Sequence, residues 1–320
     1  MRHLVKLLMP IALCAGVAIP ASPAQAKVPG PNGQIVLGRF DPALGDTVSF
    51  TVNPDGSHEQ QLFPGTSEVP RWSPDGTQVA LLARCTDGEE NCAVTIVDPD
   101  TGTFRQLKAP DPSLFTACPF WSSDGTRLAC EGFGEPDPSR NGIYTIRSSD
   151  GGGLTQVTSN PGGDDIPGDY SPDGNQIAFA RMDPTRPPGG NQAVFVVNVD
   201  GSGLRRITPW GLADSRRGSG GSWSPDGRRI LFGAHGFLYV VHPDGTGLRP
   251  IRLDTGGSAY YAFQAGWSPD GSRIVFSMYP RKGGRDDIYT AKADGTDLVQ
   301  VTNTPDFEEF VDWGAHPLAP

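Results

Sequence analysis

Residues 72–76 read WSPDG and run directly into TQVALLA at 77–83. The same five residues return at 223–227 and 267–271, with WSSDG at 121–125 and YSPDG at 170–174. In such a stretch proline presets φ for the first corner of a turn. The aspartate bonds its own backbone, and glycine takes the left-handed position that closes a hairpin. Alternating apolar residues follow each turn, as in RRILFGA (228–234) and SRIVFSM (272–278), the mark of a half-buried strand. Each pentapeptide therefore predicts a hairpin between two strands, with its aromatic packed between neighbouring repeats.

The turn glycines fall at Gly33, Gly76, Gly125, Gly174, Gly227 and Gly271, spaced 43, 49, 49, 53 and 44 residues apart. A second turn series runs beside them: PDGSHEQQL from 54, PDTGTFRQL from 99, SDGGGLTQV from 149, VDGSGLRRI from 199, PDGTGLRPI from 243 and ADGTDLVQV from 293. Two hairpins per repeat give four antiparallel strands, and no run carries a helical period. Six such repeats predict an all-β, six-bladed propeller. The ends agree: GPNGQIVLGR (30–39) supplies a turn and second strand without a first, and EEFVDWG (308–314) a first strand without a turn. Joined, they complete a sixth blade and leave no open sheet edge.

The first 26 residues read as a secretory leader. Arg2 and Lys6 precede an apolar run from Leu7 to Ile19, and AQA at 24–26 offers small residues for cleavage. The run is too short to span a bilayer, so the propeller is expected over 27–320, secreted or periplasmic, monomeric and not inserted in a membrane. Losing Arg2 and Lys6 moves the formal charge from −10 to −12. That acidity argues against nucleic acid and anionic membrane surfaces and suits cationic partners.

Without Cys14 in the leader, Cys85, Cys92, Cys118 and Cys130 remain. Four cysteines in an oxidising compartment read as disulfides, with three possible connectivities. On the blade map Cys118 and Cys130 face each other across the WSSDG hairpin, and Cys85 and Cys92 flank the loop TDGEEN.

The run WSPDGSRIVFSMYPRKGGRDDIYTAKADGTDLVQVT (267–302) resembles the WD-like repeat of TolB-type six-bladed propellers, and the resemblance extends over essentially all of 27–320. It implies an extracytoplasmic propeller. TolB itself is a periplasmic interaction protein that binds a peptidoglycan-associated lipoprotein through its propeller. TolB also carries an α/β domain ahead of the propeller, and similar repeats stand before a hydrolase domain in prolyl-oligopeptidase-type peptidases. This sequence departs from both, with repeats beginning just after the leader and ending at Pro320, and is expected to be a stand-alone propeller.

In a four-strand meander the stereotyped turns share one face. The blade-joining segments and second-to-third loops share the other, where the sequence is irregular and binding is expected. The residues singled out there are Glu68, Asp164, Asp165, Asp214, Arg216, Tyr260, Glu308 and Glu309. Gathered at the mouth of a central channel, these carboxylates would take a cationic peptide or envelope protein, or a cation such as Ca²⁺. No cofactor is otherwise expected. The scattered His58, His235, His242 and His316 have no metal-ligand spacing, and no GxSxG elbow occurs. The reading is a non-catalytic interaction module of the cell envelope. The alternatives are a propeller binding a small molecule, glycan or cation, and a hydrolase or lyase using mouth carboxylates.

Overall fold

The computed structural model describes residues 30–86, 92–134, 137–213 and 220–319. The expected leader with Cys14, and Asp214 and Arg216 of the expected site, lie outside the described residues. Six four-stranded antiparallel sheets form the ring. Blade 1 combines Glu308–Trp313 with Ile35–Asp41, Asp46–Val52 and Gln60–Gln61. Blades 2 and 3 begin with Ser67–Trp72 and Leu114–Trp121, and blades 4, 5 and 6 with Asp165–Tyr170, Ser222–Trp223 and Tyr260–Trp267. These first strands touch one another in sequence all the way round, so they line the axis and close the circle.

Each hairpin is built as its chemistry dictates. In blade 2 the Ser73 hydroxyl donates to Asp75 at 2.6 Å and accepts the Gln78 N–H at 2.9 Å, while Asp75 also accepts the Thr77 N–H. The same bonds recur around Ser122 and Asp124, Ser171 and Asp173, Ser224 and Asp226, and Ser268 and Asp270. Gly76, Gly125, Gly174, Gly227 and Gly271 all adopt φ between 70° and 74°, which explains why the glycine repeats.

Gly33 differs. It is not left-handed; it sits where a Cβ would lie 1.8 Å from the His316 carbonyl oxygen. The sixth turn is assembled from both chain ends. The Gly33 N–H donates to Gly314 and the Gln34 N–H to His316, each at 3.0 Å. Ile35 pairs with Trp313 and Arg39 with Glu308. The tail continues over blade 2, where His316 stacks on Trp72 with ring centres 5.0 Å apart.

The aromatic of every pentapeptide is buried. Trp121 Nε1–H donates to the Arg71 carbonyl of the preceding blade, and Trp267 Nε1–H to that of Ser222. These residues are therefore interblade core. Both disulfides form as read, Cys85–Cys92 and Cys118–Cys130.

Candidate binding face

A bulge breaks the first strand of most blades. Register shifts fall between Glu68 and Arg71, Ala117 and Phe120, Pro167 and Tyr170, and Phe263 and Gly266. Val69, Gln264 and Phe310 take left-handed backbone there, a strain tolerated where neighbouring structure fixes it. Gln264 Oε1 accepts the Phe310 N–H at 2.7 Å, tying blade 6 to blade 1. At the hairpin end of the axis Arg71 lies over Phe120, at 5.1 Å, with Asp169 and Asp312 alongside. Burial depresses the Arg71 pKa against the opposing pull of those two carboxylates. A cavity of only about 30 Å³ remains there. Off the axis the hairpin face carries a pocket of about 360 Å³ bordered by Asp124, Arg127, Asp173 and Asn175, while the pockets that reach the expected site residues lie on the loop face.

The expected site residues divide by the direction in which the bulged strand points them. Asp165 and Glu308 face the blade interfaces. Arg181 grips Asp165 through two bonds of 2.7 and 2.6 Å, and Thr158 adds a third at 2.5 Å. Glu308 takes Arg39 Nε–H at 2.7 Å and the hydroxyl of Thr302. Burial raises the Glu308 pKa, opposed by Thr302 and Arg39. Both carboxylates are buried, so these two clamp blades together instead of lining a mouth. Each lies on the first strand shortly before its bulge, with an arginine on the second strand opposite it.

Asp164 is half-buried, and its carboxyl is pushed up by burial and by the charge of Asp165. The same two aspartates, added to burial, bring the nearby Glu131 carboxyl up to about 8. Tyr260 accepts the Leu253 N–H and meets Phe237 edge-on at 6.2 Å. Glu68 and Glu309 line two separate pockets. The carboxylates are thus distributed around the face, not collected at one axial mouth.

Glu309 belongs to a pocket of about 410 Å³ between blades 1 and 6, lined by Phe40, Tyr279, Gly284, Asp286 and Phe307. Phe40 and Phe307 are 39% and 56% exposed, while Asp286 is buried at its base. Glu68 belongs to a pocket of about 370 Å³ spanning blades 1, 2 and 3, with Asp46, Arg84, Phe115 and the Cys85–Cys92 disulfide on its walls. Among the described residues no group of three or more His, Cys, Asp or Glu side chains is placed to hold a metal ion. Sequence reasoning missed Phe40, Asp46, Phe115, Tyr279, Asp286 and Phe307. The irregular second-to-third loops were the available signal; exposure of an aromatic is not written in the repeat.

A family model described as the TolB beta propeller domain matches residues 50–236, more than half of the chain. The chain belongs to the TolB beta-propeller family. Uncharacterized protein Atu1656 of Agrobacterium fabrum is 31% identical over 166 residues, which make up 50% of this chain and 48% of that protein. The match thus spans about half the length of the curated relative. TolB from Acinetobacter baumannii superimposes with a TM-score of 0.67 at 18% identity, over 88% of this chain and 66% of that one. A protein assigned as TolB from Agrobacterium tumefaciens gives 0.60 at 18% identity, over 88% and 98%. An oligogalacturonate lyase in complex with manganese gives 0.53 at 16% identity, over 82% and 72%. At such identities the likeness is one of fold alone and assigns no activity.

Proposed function

We propose that this TolB-family propeller is a non-catalytic binding module outside the cytoplasm, whose loop face takes a cationic segment of an envelope protein or peptide. The observation that carries the reading is the pocket of Phe40, Tyr279 and Phe307 with Asp286 and Glu309. Aromatic faces attract a desolvated ammonium or guanidinium group, and carboxylates beside them add charge and hydrogen-bond acceptors. Phe40 and Phe307 also stand out as large apolar side chains in solvent, a feature of contact surfaces. The leader sequence, the two disulfides and the family support the compartment.

The test is a fluorescence-anisotropy titration of the protein with labelled ten-residue peptides rich in lysine and arginine, beside counterparts carrying glutamate at the same positions. The cationic set should bind and the anionic set should not. Phe307→Ala and Glu309→Gln should each weaken binding by about tenfold, in the range of one interface anchor or charge-assisted bond. Equal binding of both peptide sets, or none of either, would overturn the reading.

A further inference from the structure

In blades 1 and 4 the fifth residue before the pentapeptide aromatic is a carboxylate, Glu308 or Asp165, held by an arginine across the hairpin and a threonine from the preceding blade. Blade 2 has Ser67 there, bonded to Ser49 at 2.9 Å. Blade 3 has Thr116, and its cross-strand partner is Gly132. An arginine at 132 is sterically shut out, because a Cβ on Gly132 would lie 2.4 Å from the ring of Tyr144. The clamp is therefore missing in blade 3. Thr116 is 2% exposed, and its hydroxyl has no hydrogen-bond partner among the described residues. A buried hydroxyl in that condition costs free energy that a ligand can recover.

Thr116 lines the pocket of about 370 Å³ that also holds Asp46 and Glu68. Against those two carboxylates stands one cationic side chain of the lining, Arg84, which is exposed. The charge balance of the lining is negative. Phe115, 53% exposed, offers an apolar wall, and the Cys85–Cys92 disulfide forms another part of the lining. We infer that this pocket is a second recognition site, which takes the ammonium group of a lysine side chain between Asp46 and Glu68, with Phe115 along the aliphatic stem and the covered Thr116 hydroxyl, beneath the lining, turning to it as a further acceptor. The inference deepens the reading of the loop face as one that binds cationic segments and rests on it. The Glu68 carboxyl is raised by burial and by the charge of Asp46, as expected of an acidic pair that a bound cation would relieve.

The probe is Nα-acetyl-lysine N-methylamide, titrated into the protein by NMR, with its Nε-acetylated form and calcium chloride as comparisons. The charged lysine should shift resonances around Phe115 and Thr116, and the Nε-acetyl form should not. Glu68→Gln should weaken the interaction about tenfold and the isosteric Thr116→Val several-fold, the scale of one charged and one neutral acceptor. Glu309→Gln should leave these shifts unchanged, which separates this pocket from the one beside blade 6. Thermal melts of the variants, matched to wild type, show that each still folds. Unchanged affinity in both Glu68→Gln and Thr116→Val overturns the inference, and so does equal binding of the Nε-acetyl form. Occupation of the pocket by calcium that lysine does not displace overturns it as well. If peptide binding in the anisotropy test still depends on Phe307 and Glu309, the broader reading survives that failure.

Discussion

Trp313 Nε1–H donates to the carbonyl oxygen of Gly33 at 2.8 Å, across 280 residues of chain. This bond, with the pairing of Ile35 to Trp313, turns a row of repeats into a closed ring. Trp313 is only 2% exposed. Replacing it with alanine removes a buried aromatic and the closing bond together. The expected loss is about 3–5 kcal/mol, read from the midpoint of guanidinium unfolding. A loss under about 1 kcal/mol would mean that the ring does not depend on this seam.

Glu308 and Glu309 are neighbours with opposite tasks. Glu308→Ala leaves the part-buried Arg39 with Glu59 as its remaining carboxylate partner and should cost about 1.5–3 kcal/mol of stability, the scale of a lost charged hydrogen bond. Glu309→Gln should cost less than about 1 kcal/mol and should instead weaken binding of cationic peptides. Denaturation and peptide titration of the two variants, run side by side, decide the assignment. The account fails if the two phenotypes are exchanged.

Glu131 makes stability fall as pH rises. Its folded pKa of about 8 lies above the ordinary 4.5, so between those values the folded state holds a proton that the unfolded chain has released. The stabilising contribution is complete below about 4.5, declines through this window and is gone above about 8. Glu131→Gln cannot lose a proton, so its unfolding midpoint should decline less between pH 5 and 8.5 than that of wild type. Parallel pH profiles for the two proteins would refute the burial of a protonated Glu131.

The Cys85–Cys92 bridge supports a pocket wall as well as the fold. A ring this short contributes about 2–3 kcal/mol on a chain-entropy estimate. Cys85→Ser combined with Cys92→Ser should lower stability by about that amount and weaken the blocked-lysine interaction several-fold. Mass spectrometry under non-reducing conditions checks that the Cys118–Cys130 bridge remains. Retained affinity in the double variant would show that the wall holds without the bridge.

The ring was legible because its chemistry repeats. Ser73, Asp75 and Gly76 must make one set of bonds to turn the chain, and the same need recurs at Ser122, Ser171, Ser224 and Ser268. The bridges followed from that map, since Cys118 and Cys130 are placed symmetrically about Asp124. Gly33 was legible as a glycine but not in its role, which depends on a tail arriving from the far end of the chain. The carboxylates were legible only as a group. Alternation along a strand sends Glu308 inward and Glu309 outward, yet a bulge at Phe310 interrupts the alternation, and no local pattern announces which residue of the pair is buried. The arginines that settle the matter, Arg39 and Arg181, lie on other strands. The pockets were the least legible, because Phe40, Phe307 and Asp286 come from three separate segments and meet only when the ring closes.

The most direct test of the central claim is an NMR map of the protein with a saturating lysine- and arginine-rich peptide. The account predicts shifts confined to the loop face, centred on Phe40, Glu68, Phe115, Tyr279, Phe307 and Glu309, with the SPDG hairpins silent. Shifts centred on Asp75, Asp173 and Asp226 at the hairpin face, or no shifts at all, would contradict it.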